Sequence, residues 1–130
     1  MNIEELLGFL VKEYNLSYKY QEFTNCYGGN WIVQTYSFYN DSGCFTICFI
    51  PQKNELDFYY ASQFSNERKD LCEKMIDICE IEPDIWDKHT KVGFFHRPFF
   101  WCNNKKILSA LAEALRVHLS KDNNFFGIQV

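Results

Sequence analysis

The sequence predicts an α+β fold in which an antiparallel meander sheet of four to five strands is packed by an N-terminal helix and two later helices. Apolar residues recur at helical spacing near the start of the chain and again in its last third. Between these regions lie four segments of strand-like pattern, joined by short turns that favour antiparallel neighbours. A length of 130 residues fits one domain, residues 1–130.

The first helix is predicted over residues 2–14, where Asn2 can cap the helix and Glu5 is its reciprocal partner. In the first strand Leu16, Tyr18 and Tyr20 alternate with polar residues, and this pattern predicts a buried face. The four predicted strands cover residues 16–23, 31–39, 44–50 and 55–60. The third is almost wholly apolar, so we expect it at the centre of the sheet with both faces covered.

The second helix is predicted from about residue 65 to residue 79 or 80, because apolar residues again recur at helical spacing there. Pro83 opens a short helix or an irregular segment over 82–89. Residues 92–101 are aromatic and contain a proline, which favours an edge strand or a packed loop. The third helix follows Asn103, and the alternating tail 126–130 can add a last strand.

Charge and terminal composition limit the classes of partner. The net charge is −4 and the pI is about 5.3, which argues against direct nucleic-acid binding, since such proteins usually carry a basic surface. The first residues include Glu4 and Glu5 where a signal peptide would place basic residues, and no apolar run reaches membrane length. We therefore expect a cytoplasmic protein with no membrane association.

The six cysteines are interpreted as structural thiols. Cys44 and Cys48 fall in a strand, and Cys72 and Cys79 in a helical pattern, all at core positions. There is no Cys-x-x-Cys and no Cys/His pair at zinc-finger spacing. The sequence therefore predicts no metal site and no cofactor.

Catalytic signals are weak, and a protein without enzymatic activity is predicted. His96 with Arg97 is the one pair that looks like a phosphate-handling dyad, although adjacent residues point apart in an extended chain. His89 and His118 have no partner nearby in the sequence. A small phosphoryl-transfer or nuclease-like enzyme that uses His96 and Arg97 stays open as an alternative.

The charge distribution indicates a binding surface. Residues 1–87 carry a net charge of −9 and residues 88–130 one of +5. The acids of the sharpest acidic segment, together with its one tryptophan, are Asp77, Glu80, Glu82, Asp84, Trp86 and Asp87. Such a segment suits docking onto a basic protein, with Trp86 or Tyr59 as the anchor and Asp57 beside Tyr59. The competing interpretation is a solvated loop whose tryptophan folds into the core.

A second candidate surface is basic and aromatic. Its residues are Arg97, Trp101, Lys105 and Lys106. They can meet an anionic surface, pair with the acidic segment of the same chain, or form an aromatic patch through which a scaffold protein dimerises. We expect a monomer or a weak dimer.

The meander with Gly29-Asn30-Trp31 and Asp41-Ser42-Gly43-Cys44-Phe45, together with the acidic segment around Trp86, resembles bacterial immunity proteins of contact-dependent and other polymorphic toxin systems. That resemblance implies binding and neutralisation of one cognate protein toxin, often a nuclease, by covering its active site or another essential surface. It assigns no individual residue a role.

Overall fold

The structure is a computed structural model that describes residues 2–26, 28–61, 74–75, 77, 80–92, 95–96, 104–122, 124–125 and 128–129. It confirms the α+β class. The chain groups into two compact units, each built from two stretches of sequence. We call Met1–Gly8 with Asp77–Phe125 the helical unit, and Phe9–Ile76 with Phe126–Val130 the sheet unit. A single domain over residues 1–130 stays a prediction.

The described residues form four helices and nine strands. The helices are α1 (Ile3–Leu7), α2 (Phe9–Lys12), α3 (Pro83–Thr90) and α4 (Asn104–Lys121). The strands are β1 (Ser17–Cys26), β2 (Trp31–Asn40), β3 (Gly43–Ile50), β4 (Glu55–Ala61), β5 (Lys74–Met75), β6 (Lys91–Val92), β7 (Phe95–His96), β8 (Asn124–Phe125) and β9 (Ile128–Gln129). None of the described helices is both long and apolar enough to cross a bilayer.

The sheet unit contains the predicted meander. Strands β1 to β5 pair in sequence order, and each pair is antiparallel. As expected from its apolar run, β3 is central, and every residue in it except Phe49 is buried. Strand β9 packs near β3 within this unit, so the alternating tail does add a strand.

Cross-strand register sorts the strand residues onto two faces, because side chains alternate along a strand and paired residues share a face. One face carries a buried polar row that contains Thr35, Ser37 and Thr46. The Ser37 and Thr46 hydroxyl oxygens lie 3.0 Å apart, so these buried groups satisfy each other. The other face is aromatic, with Phe38, Phe45 and Phe58 buried.

Several predicted details at the N-terminus were wrong. The first helix is interrupted at Gly8, which separates α1 from α2, and helical structure ends at Lys12. Asn2 is at the cap position, but its side-chain amide donates to the Glu5 carboxylate at 2.9 Å and makes no capping bond to the backbone. Tyr20 is 42% exposed, because β1 is the first strand of the sheet order and has a neighbour in that sheet on one side only.

The predicted second helix is contradicted where the structure describes it. Lys74 and Met75 form β5 and pair with Tyr60 and Tyr59 of β4. Pairing with β4 therefore overrides the helical pattern at these two residues. Residues 65–73, 76, 78 and 79, including Cys72 and Cys79, lie outside the described residues.

The later elements agree better with the prediction. The short helix opened by Pro83 is present as α3. The long helix begins at Asn104, one residue after the predicted cap. In the aromatic segment, Lys91–Val92 pairs with Phe95–His96 in a small hairpin, and residues 97–101 lie outside the described part of the chain.

Candidate partner-binding surfaces

The helical unit is organised by the packing of α3 against α4. Glu82, which directly precedes α3, accepts two hydrogen bonds from the Lys121 ammonium group at the end of α4, at 2.9 Å and 3.1 Å. His118 Nδ1 lies 4.0 Å from the same carboxylate. These contacts join the start of α3 to the end of α4, where the Glu82 carboxylate and the Lys121 ammonium group also complement the dipoles of the two helices.

A second cluster joins the other end of α3 to the middle of α4. The Glu113 carboxylate contacts Lys88 Nζ at 3.0 Å and His89 Nε2 at 2.6 Å. Hydrogen bonds from His89 and then Lys88 lower the pKa of Glu113 below its ordinary value of 4.5, because both favour the ionised carboxylate. Glu82, at the start of α3, contacts the end of α4, and His89, near the end of α3, contacts the middle of α4. The two helices therefore run antiparallel.

The structure corrects one predicted site residue. Trp86 is 3% exposed, so its indole is in the interior and is not available as a surface anchor, whereas the acids of the segment stay a predicted binding surface. Glu82 is engaged by Lys121 of the same chain and has a side chain only 20% exposed. A basic residue of the same chain, Lys121, thus pairs with the acidic segment, whereas pairing through Arg97, Lys105 or Lys106 stays a prediction.

The other four acids of the segment remain at the surface. Asp77, Glu80, Asp84 and Asp87 are all exposed. Asp84 and Asp87 are three residues apart on α3, so they lie on one side of the helix. We call Asp77, Glu80, Asp84 and Asp87 the acidic face.

Asp57 and Tyr59 lie in the sheet unit, on the same face of β4. Tyr59 packs against a buried cluster of Val33, Cys48 and Ile50. Three further partly buried side chains, from Phe23, Cys26 and Trp31, pack against the same cluster. Opposite Tyr59 on β5 is Met75, which is 63% exposed. Tyr59 thus packs against an apolar cluster that sequence reasoning did not assign to a site.

Trp31 is fixed by the turn between β3 and β4. The Lys53 ammonium group lies 4.7 Å from the centre of the indole ring, and the side chain of Gln52 bonds to the backbone of both Asn30 and Ile32. Gln52 therefore joins the β1–β2 turn to the β3–β4 turn. This connection was not readable from the sequence, because these partners lie 20 to 22 residues apart.

The basic candidate residues are only partly described. Lys105 and Lys106 are exposed at the start of α4. Lys105 lines a cleft of about 530 Å³ within the helical unit, together with Asn2, Glu5, Leu6, Leu108 and Ser109. Arg97 and Trp101 lie outside the described residues, and so does the side chain of His96.

Comparison with known protein families, curated proteins and solved structures found no match. Among the described residues, no group of three or more His, Cys, Asp or Glu side chains is placed to hold a metal ion. The described cysteines, Cys26, Cys44 and Cys48, are free thiols, and the latter two are buried as predicted.

Histidine partners come from distant parts of the sequence. His89 and Glu113 are 24 residues apart, and no local pattern pointed to their contact. A carboxylate at 2.6 Å can orient an imidazole ring. Here the same carboxylate also binds Lys88, and together the three side chains fasten α3 to α4.

Proposed function

We propose that this chain is an immunity-type protein that binds and neutralises a cognate protein toxin, with a nuclease as the expected class. The acidic face would dock onto a basic surface of that toxin. The resemblance of the meander and the acidic segment to immunity proteins suggests the class, and the surface position of the four acids supports the mode of binding.

The observation that carries the proposal is that four of the five acids within residues 77–87 have exposed side chains. Asp77, Glu80, Asp84 and Asp87 are exposed, and the fifth acid, Glu82, has a side chain that is only 20% exposed. A surface with several carboxylates raises the encounter rate with a basic protein and disfavours acidic ones. Nucleases need basic surfaces to hold phosphates, so they suit such a face.

The sheet unit carries a separate candidate contact surface. Its residues are Tyr59, Trp31 and the exposed Met75, since the buried Trp86 is not a candidate. Large side chains of this kind contribute most of the binding energy in many interfaces. Asp57, on the same face as Tyr59, would add a charge at the rim of that contact.

Site-specific photo-crosslinking in the native cell tests the proposal. A photo-reactive amino acid is placed at Asp84, and in a matched variant at Asp41, which is exposed in the β2–β3 turn. We expect position 84 to capture one basic protein and position 41 to capture little of it. The captured protein is then expressed with and without this chain. Growth arrest that the chain relieves is the expected result, and a captured protein without toxicity contradicts the immunity function.

Affinity measurements with the purified partner test the acidic face itself. The double variant Asp84→Asn with Asp87→Asn removes two negative charges. It should bind the partner about tenfold more weakly, or by about 1.4 kcal/mol, and its affinity should depend less on salt. The control pair, Asp41→Asn with Glu13→Gln, removes the same charge from exposed positions in the sheet unit. Equal affinities of the two double variants at low salt would rule out the acidic face.

A further inference from the structure

One face of the β1–β2 pair carries two tyrosine rings beside a carboxylate. Tyr20 is opposite Tyr36, with ring centroids 5.0 Å apart at an angle of 53°. The next pair on that face, about 7 Å along the strands, is Glu22 with Gln34, where the Gln34 amide donates to Glu22 Oε1 at 3.3 Å. We call these four residues the tyrosine–glutamate site.

This site lies on the first strand of an aromatic face whose three central phenylalanines are buried. Phe38, Phe45 and Phe58, on the same face, are at most 5% exposed. By contrast, Tyr20 is 42% exposed and Glu22 is exposed as well. An exposed aromatic ring next to an exposed carboxylate therefore occupies the β1 side of the face.

The charge of this face has one sign on the described strands β1 to β4. On these strands Glu22 is the one charged residue that the register places there, and Lys74, paired with Tyr60, falls on the same face at the other end of the strand order, on β5. Lys19 falls on the opposite face, because it is an odd number of residues away along the same strand. The site therefore favours a cation, and the two rings favour one that can also stack.

We infer that the tyrosine–glutamate site receives an arginine side chain from a basic segment of a protein partner. A guanidinium is planar, stacks on aromatic rings and donates up to five hydrogen bonds in a fork that matches a carboxylate. A lysine ammonium provides the charge but neither the plane nor the fork. Identifying this partner with the neutralised toxin rests on the proposed function.

The side chains of the site contact one another in the structure, which contains no bound arginine. Gln34 holds the Glu22 carboxylate, and Tyr36 contacts the ring of Tyr20. Side chains that are already positioned lose less conformational entropy on binding, so a small site can discriminate between cations. Gln34 and Tyr36 are therefore positioning residues, and Glu22 and Tyr20 make the contacts.

The test uses the full chain and synthetic peptides, so it needs no identified partner. A seven-residue peptide of alternating threonine and arginine is titrated into the protein while the tyrosine ring resonances are followed by NMR. Matched peptides replace arginine by lysine or by the neutral citrulline. We expect shifts at Tyr20 and Tyr36, at least threefold weaker binding of the lysine peptide, and no saturable shift with citrulline.

Two variants separate a defined site from general attraction to an acidic protein. Glu22→Gln should weaken binding of the arginine peptide at least threefold, whereas Glu55→Gln removes the same charge from the opposite face of the sheet and should have little effect. Tyr20→Leu tests the ring, with retention of the remaining NMR spectrum as the check on folding. Equal effects of the two glutamate variants, or no shift at Tyr20 and Tyr36, would overturn the inference.

This result is independent of the proposed function. Arginine-dependent shifts at Tyr20 in a chain that neutralises no toxin would leave the site standing and remove the immunity function. Neutralisation of a toxin by a chain that shows no such shifts would support the immunity function and remove the arginine site.

Discussion

The Lys121 ammonium group lies 2.9 Å and 3.1 Å from the two carboxylate oxygens of Glu82, 39 residues earlier in the chain. The Lys121 side chain is 62% exposed and that of Glu82 is 20% exposed. Water therefore screens the pair from one side, and its contribution to stability should be modest. The position of this ion pair matters more, because the pair joins the start of α3 to the end of α4. It also binds the Glu82 carboxylate within the chain, so Glu82 is not part of the acidic face.

A double-mutant cycle measures this pair. Glu82→Gln and Lys121→Met should each destabilise the protein, with a coupling free energy of about 0.2–1 kcal/mol that decreases as salt is added. Urea unfolding of the four proteins of the cycle gives the value. Pairing Asp84→Asn with Lys121→Met serves as the control and should be additive. A coupling of zero at low salt would show that the contact does not contribute to stability.

The backbone at Glu82 predicts an unusual preference for glycine. Its φ of +50° is in the left-handed region, which side chains with a Cβ adopt at a cost of roughly 1 kcal/mol. Glu82→Ala and Glu82→Gly lose the same ion pair, so their difference isolates the backbone. Glu82→Gly should be the more stable by about 1 kcal/mol in urea unfolding.

The control for this comparison lies inside α3. At Asp87, which is helical and exposed, the order should reverse, and alanine should be more stable than glycine by about 1 kcal/mol. If the alanine variant is more stable than the glycine variant at both positions, the backbone at Glu82 is not strained as argued.

Local patterns predicted the sheet well and long-range contacts poorly. Alternation and turn residues located β1 to β4, because strand period and turn chemistry are properties of neighbouring residues. The pattern around Met75 predicted a helix, but pairing with Tyr59 made it a strand. The contact of Glu82 with Lys121 depends on α4, 39 residues later, and the local pattern around Trp86 offered two interpretations without choosing between them.

The contacts of Glu113 predict that its pKa responds more to a substitution at His89 than to one at Lys88. His89 contributes most to lowering the pKa of Glu113, and Lys88 is next. His89→Phe should therefore raise that pKa towards 4.5 by more than Lys88→Met does. Carbon-13 NMR titration of the Glu113 carboxyl measures all three values. A larger rise in Lys88→Met would contradict the assignment of the causes.

The same lowered pKa fixes the pH range in which Glu113 supports the fold. A carboxyl with a folded pKa below its unfolded one stabilises the protein fully above the unfolded value, and loses this contribution as the pH falls through the folded value. Stability should thus fall below pH 4.5 partly through Glu113. In Glu113→Gln this part of the loss of unfolding free energy at acidic pH should be missing. The control is Glu13→Gln, at an exposed position elsewhere on the chain.

The buried hydroxyl pair of Ser37 and Thr46 predicts a double variant that is more stable than one of its parents. Thr46→Val keeps the shape of the side chain but leaves the buried Ser37 hydroxyl without the partner it has at 3.0 Å, which should cost about 1–3 kcal/mol. Adding Ser37→Ala removes that unsatisfied group and should recover at least half of the loss. Urea unfolding measures the three variants, and Thr24→Val at an exposed position of β1 should change stability by less than about 0.5 kcal/mol. Additive losses in the double variant would show that the two hydroxyls do not depend on each other.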